Sequence, residues 1–186
     1  PRPETEELVE WVARGAKRGA RILDVGTGSG AIAVALAKKV EGAEVVAVDI
    51  SDEALQVAAE NVARHSANVT LVKADALGDM SQLGEFDIVV SNPPYIPQSD
   101  ISAMHRNVVD YEPHTALFVA DSDPLCFYRS IAQNGVKMLR EGGSLYFEIY
   151  EHYGEQVVKM LERLGYRECE VVKDVFGKER MVWSRR

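Results

Sequence analysis

The chain has 186 residues, 46% of them hydrophobic and 27% charged, which excludes a disordered or fibrous protein. Its 21 lysines and arginines against 29 aspartates and glutamates leave a net charge of −8, which argues against duplex nucleic acid or any partner held mainly through phosphates. The apolar runs are far shorter than the ~20 residues that cross a bilayer, no charged-then-apolar leader is expected, and two cysteines make no disulfide framework, so a reducing cytoplasm is expected; the chain is also expected to be a monomer.

No repeat or shift in composition divides the chain, so residues 1–186 read as one domain. In chain order, Leu8, Trp11 and Val12 form a stripe read as packing rather than as a base-stacking platform. Strands are predicted at Ile22–Val25, Val45–Val48, Val69–Val72, Asp87–Val90 and Leu145–Ile149; their apolar residues run on rather than alternate, as in strands buried on both faces. Helix-period stripes lie between them: Ile32, Leu36 and Val40, then Leu55, Ala58, Ala59 and Val62, then Val157, Leu161 and Leu164. Ser51 is placed to cap the second of these helices, with Asp52 and Glu53 in its positively polarised first turn. Asp123-Pro124 reads as an N-cap followed by proline at the first helical position, and Gly165 as a left-handed C-cap. Cys169–Val175 and Met181–Trp183, joined through Phe176-Gly177-Lys178-Glu179, predict a terminal hairpin. The alternation implies an α/β fold, a mostly parallel sheet closed by an antiparallel pair, with ligands beyond the carboxyl ends of the strands where the winding reverses.

The first strand ends in Asp24-Val25-Gly26-Thr27-Gly28-Ser29-Gly30 and a helix follows at once. Glycines here let the backbone turn tightly and come close to a ligand at a helix N-terminus. The next strand ends in Asp49, placed to accept both hydroxyls of an adenosine ribose. A dinucleotide reading survives, because Gly26, Gly28 and Ala31 satisfy the looser fingerprint spelling. Against it, Asp24 opposes a pyrophosphate but suits an ammonium group, which favours S-adenosylmethionine with its zwitterionic amino-acid part and cationic sulfonium. After the third strand, Asp75 and Ala76 stand where the adenine edge is reached, although Ala76 reads equally well as a small loop residue.

The fourth strand ends in Ser91-Asn92-Pro93-Pro94-Tyr95. Two prolines fix φ twice and remove two donors, leaving a stiff loop with free carbonyls, an amide and an aromatic ring. That set suits a planar NH₂ group whose lone pair is delocalised. The Asn92 side-chain oxygen and the Pro93 carbonyl hold its two hydrogens and aim the nitrogen at a methyl group, while Tyr95 stacks on the flat substrate.

These residues resemble those of the release-factor glutamine methyltransferases (the HemK/PrmC family) over nearly the whole chain. The matching stretches are Arg2-Pro3-Glu4-Thr5-Glu6, the Asp24–Gly30 turn, Val48-Asp49, Phe86-Asp87 leading into Asn92-Pro93-Pro94-Tyr95, Tyr111-Glu112-Pro113, Glu148-Ile149, Lys173-Asp174 and Glu179-Arg180. The resemblance implies a class I S-adenosylmethionine-dependent methyltransferase fold with a seven-stranded sheet. The acceptor it implies is the glutamine amide in the Gly-Gly-Gln loop of peptide-chain release factors. Carried over, Gly26, Thr27, Gly28, Ser29 and Gly30 line the methionine part, Asp49 holds the ribose and Asp75-Ala76 faces adenine. Asn92 touches both substrates, and Pro93, Pro94 and Tyr95 shape the glutamine pocket. The family's N-terminal helical domain is not among these residues, which begin where the catalytic domain is expected. Tyr150 stands where the family commonly has glycine, and Val119–Asp123 lacks the family's usual glycine.

Residues 96–122 read as a flap that contacts substrate. His65, His105, His114 and His152 show no metal-ligand spacing, and no metal is expected. Glu148 is either a structural acid beneath the site or a partner behind it. Two other functions remain open: methylation of the adenine amino group in nucleic acid, which needs the same Asn-Pro-Pro-Tyr chemistry, and nucleotide binding without catalysis.

Overall fold

A computed structural model describes residues 2–94, 96–97, 118–119 and 123–186. The strands are β1 (Arg21–Val25), β2 (Glu44–Asp49), β3 (Val69–Lys73), β4 (Phe86–Ser91), β5 (Ile96–Pro97), β6 (Phe118–Val119), β7 (Leu139–Glu148), β8 (Arg167–Lys173) and β9 (Glu179–Arg185). The helices are α1 (Pro3–Gly15), α2 (Ala31–Lys39), α3 (Asp52–Arg64), α4 (Cys126–Met138) and α5 (Gly154–Arg163).

Seven strands form one sheet in the order β3-β2-β1-β4-β7-β9-β8. Pairing is parallel from β3 to β7, and β9 runs antiparallel to both of its neighbours. The winding runs outward from β1 through β2 to β3, then restarts at β4 on the other side. The winding therefore reverses between β1 and β4, and the crevice in which ligands of such sheets bind is expected beyond their carboxyl ends. The two-residue strands β5 and β6 pair with each other in parallel, apart from this sheet.

Continuous apolar runs bury β1, β2 and β4 on both faces, as the pattern implies. On one face Tyr128 and Ile131 of α4 and Val157 and Leu161 of α5 pack on Leu23, Val89 and Phe147. On the other, Leu8 and Val12 of α1 and Ile32 and Leu36 of α2 pack on Ile22, Ile88 and Val90. Trp11 belongs to this packing: its ring meets Tyr146 edge-on at 5.3 Å.

Local chemistry sets most boundaries where expected. Ser51 Oγ accepts the Ala54 N–H at 3.1 Å and caps α3. Gly165 (φ +95°) ends α5 in a Schellman turn: its N–H donates to Glu162 O and that of Tyr166 to Leu161 O, both at 3.0 Å. The terminal hairpin forms, but its first strand lies two residues earlier than predicted, so Val175 falls in the turn, and its second strand extends at both ends to Glu179–Arg185.

Four expectations are corrected. Strand β3 is half-exposed, because it is an edge strand and only one flank is covered. Ala59 points to solvent and only Ala58 of the α3 stripe is fully buried. Helix α4 begins at Cys126, not after Asp123, because the Asp123 carboxylate is taken by Arg129 Nη1 at 2.8 Å and caps nothing. Strand β7 starts at Leu139, six residues earlier than read, since an irregular pairing with β4 carries it past Gly142 and Gly143.

Candidate functional site

The carboxyl ends of three strands stand level at the crevice. Val25 is in register with Val48 on one side and Ser91 on the other. Ser91 Oγ ties β4 to β1 by donating to Val25 O at 2.7 Å. The N–H groups of Gly26 and Thr27 both donate to Val48 O at 2.9 Å and fold the chain back over the sheet edge.

The three glycines of this turn have φ of +73°, +57° and +82°, the left-handed region that favours glycine. Their surroundings differ. A Cβ on Gly26 or Gly28 meets nothing within 4 Å, so both border open space a ligand can fill, whereas one on Gly30 lies 3.2 Å from the Ala58 Cβ. Gly30 thus serves the close approach of α2 to α3. Asn61 fastens the same junction, donating from Nδ2 to Ser29 O at 2.8 Å.

The two acids stand differently. Asp49 Oδ2 accepts the Gly28 N–H at 2.9 Å and Oδ1 the Ser51 N–H at 3.0 Å, so the turn itself aims this carboxylate. Each oxygen keeps a second acceptor position for a hydroxyl pair. Asp24 is fully buried; Oδ2 accepts from Thr27 Oγ1 at 2.7 Å, and Oδ1 has no partner among the described residues. Burial lifts its carboxyl to about 7, the Thr27 hydroxyl opposes this, and the charge of Asp49 adds to it. A cationic group relieves the buried Asp24 and a pyrophosphate aggravates it, which favours S-adenosylmethionine over a dinucleotide. The cradle at Gly26 and Gly28 and this orphaned oxygen fit S-adenosylmethionine.

At the end of β4, Pro93 is buried, Pro94 half-buried, and Asn92 Oδ1 is buried without a partner among the described residues. A buried amide oxygen left unpaired is costly, and an N–H donor supplied by a ligand removes that cost. Tyr95 and nearly all of residues 96–122 lie outside the described residues. On the β3 side, the exposed Asp75 closes its own turn, accepting the Leu77 N–H at 2.9 Å, and Ala76 O accepts from Ser130 Oγ at 2.6 Å.

The sequence reading missed one pair of residues here and left a second set, around Glu148, without an assigned role. Ile50 and Leu77 stand 58% and 52% exposed, next in the chain to Asp49 and to the Asp75-Ala76 turn. The available signal was an apolar residue just beyond the acid at two successive strand ends. The second set joins distant stretches: Thr5 Oγ1 donates to Glu148 Oε2 at 3.1 Å, and the Ile149 N–H donates to Arg180 O at 2.7 Å. His65 and His152 are exposed on the surface.

Residues 5–111, more than half of the chain, match the methyltransferase small domain family. A release factor glutamine methyltransferase of Bacteroides thetaiotaomicron is 47% identical over 100% of this chain and 67% of its own. One from Flavobacterium psychrophilum is 43% identical over 98% of this chain and 66% of its own. The chain thus spans about two thirds of the length of these relatives. Among solved structures, a release factor-specific protein-(glutamine-N5) methyltransferase of Alicyclobacillus acidocaldarius superposes with a TM-score of 0.61 at 28% identity. That match covers 100% of this chain and 93% of the other. The strand order, the glycine turn and these relatives agree, and the chain belongs to the release factor glutamine methyltransferase family, whose class I fold uses S-adenosylmethionine.

Proposed function

We propose that the chain methylates the side-chain amide nitrogen of the glutamine in the Gly-Gly-Gln loop of peptide-chain release factors. The observation that carries this reading is the buried Asn92 Oδ1 at the carboxyl end of β4, beside the glycine turn, which has no partner among the described residues. When bound, S-adenosylmethionine supplies an electrophilic methyl carbon.

The chain's own residues do the rest. Asp24, Gly26 and Gly28 receive the amino-acid end, Asp49 the ribose hydroxyls, and Ile50 and Leu77 flank adenine. Asn92 Oδ1 and the Pro93 carbonyl accept the two amide hydrogens and hold the nitrogen lone pair toward the methyl carbon. The double proline fixes both acceptors in advance, so the rate gain comes from orientation and hydrogen bonding. No base is needed beforehand, because the nitrogen is strongly acidic once alkylated and its extra proton passes to water.

In the same reading, residues 1–186 work as one catalytic unit, a monomer in the cytoplasm. Among the described residues no helix is long and apolar enough to cross a membrane. The test is incubation with labelled S-adenosylmethionine and either a release factor or an adenine-containing duplex, followed by localisation of the label by mass spectrometry. Label on the Gly-Gly-Gln glutamine is expected; label on adenine alone would refute the assignment.

A further inference from the structure

Among the described residues, the exposed large apolar side chains are Ile50, Val57, Leu77, Val175 and Phe176, and all but Val57 stand at the carboxyl edge of the sheet. Ile50 and Leu77 fall at the nucleotide end. Val175 and Phe176, 79% and 81% exposed, crown the turn between β8 and β9 at the opposite end. Neighbouring apolar side chains so exposed on a tight turn ask for a reason.

Among the described residues, the contacts that hold the turn do not supply one. The turn is held by Asp174, itself buried, whose Oδ1 accepts the N–H groups of Phe176 at 2.8 Å and Lys178 at 3.0 Å. Its Oδ2 receives Arg180 Nε at 3.2 Å, its own N–H donates to Lys178 O at 2.8 Å, and Gly177 takes φ +80°. None of these contacts uses the side chain of Val175 or Phe176. The turn is a stiff mount that keeps the pair in water. Lys173 and Lys178, both exposed, flank it without an ion pair among the described residues, a local positive charge on a chain of net charge −8.

Position supplies the reason. The nucleotide end occupies the edge above β1, β2 and β3, so a polypeptide entering at Asn92 has the opposite half of the edge to lie on, above β7, β9 and β8. With ~4.8 Å between strands, β9 and β8 lie about 10–14 Å beyond β4, which an extended chain covers in about three to four residues. We propose that Val175 and Phe176 form a docking anchor for the release factor, gripping an apolar side chain about three to four residues from the methylated glutamine. Lys173 and Lys178 pair with acidic neighbours of that side chain. The proposal rests on the acceptor being a release factor, as argued above.

The test is methylation kinetics with an intact release factor, comparing wild type with Val175→Ser/Phe176→Ser and, separately, with Lys173→Glu/Lys178→Glu. For the apolar pair, KM for the release factor should rise about 10-fold, the size of a modest interface anchor, with kcat and KM for S-adenosylmethionine within about twofold. Phe176→Leu should retain most of the wild-type KM, and the lysine variant should raise KM with a weaker dependence on salt. All variants should melt with wild type; if the serine pair melts early, the lysine variant and Phe176→Leu decide. Unchanged KM for the release factor in an active enzyme overturns the anchor and leaves the functional reading standing, as does a loss confined to kcat. A wild-type protein that neither binds nor methylates any release factor overturns both.

Discussion

Thr5 Oγ1 donates a 3.1 Å hydrogen bond to Glu148 Oε2 across 143 positions of the chain. The bond fastens the first turn of α1 to the carboxyl end of β7, the strand next to the one that carries Asn92. Glu148 is 1% exposed. Burial lifts its carboxyl to about 7; the Thr5 hydroxyl, Arg2 and Arg180 pull it down and Glu4 pushes it up. Three stretches of the family resemblance, at the start of the chain, at β7 and in the hairpin, thus surround one acid.

That acid makes stability depend on pH. The folded chain holds a proton on Glu148 that the unfolded chain releases near 4.5, so its contribution is complete below that pH and is lost as pH rises through about 7. Glu148→Gln keeps an acceptor for Thr5 and cannot ionise. Its stability relative to wild type should grow between pH 5 and pH 8, by on the order of 3 kcal/mol at most, and level off above. Melting temperatures across that range check this; a difference independent of pH would contradict it.

Asp24 should couple pH to cofactor affinity. Its carboxyl titrates near 7, and the ionised form pairs better with a cationic ligand. S-adenosylmethionine should bind more tightly at pH 8 than at pH 6, and Asp24→Asn should bind weakly with little dependence on pH. Calorimetry at the two pH values is the measurement, and parallel curves for both proteins would count against the pairing.

Asp49 and Asn92 should separate binding from chemistry. Asp49 holds the Gly28 and Ser51 N–H groups as well as facing the ribose, so Asp49→Ala should mainly raise the Kd for S-adenosylmethionine. Asn92→Ala should lower kcat by ~10²-fold or more with cofactor affinity little changed, the size seen for other orienting hydrogen bonds. Equal cofactor affinity for wild type and Asp49→Ala would remove Asp49 from that role.

Gly30→Ala should destabilise more than it disturbs binding. The new Cβ lies 3.2 Å from the Ala58 Cβ at a backbone φ of +82°, and the left-handed conformation alone costs about 1–2 kcal/mol. Gly28→Ala bears the conformational cost without the clash but places a methyl in the ligand's space, so it should weaken cofactor binding more. Thermal melts and binding isotherms of the two variants should therefore rank in opposite orders.

Much of this was legible from the chain because its causes are local. Continuous β-branched runs gave the buried strands, glycines gave the left-handed turns, and a serine gave the cap of α3, each from neighbours in sequence. What escaped depends on distant partners. Whether β3 is buried is decided by its place at the sheet edge, and where α4 starts by the competing claim of Arg129 on Asp123. Glu148 could not be assigned because its environment is built from Thr5, Arg2 and Arg180, far away along the chain. Ile50 and Leu77 look like ordinary core residues until the fold leaves them in water.

The antiparallel β9 is wedged between β7 and β8, so β8 has no strand to bond until β9 arrives. A chain partway through folding therefore presents the bare rim of β7, with those main-chain groups that face β9 unclaimed along Ser144–Glu148, beside large apolar side chains. Such a rim recruits strands from other molecules. Refolding yield should accordingly fall steeply with protein concentration, and slowing the insertion of that last strand should promote clumping before any loss of the finished molecule's stability is felt.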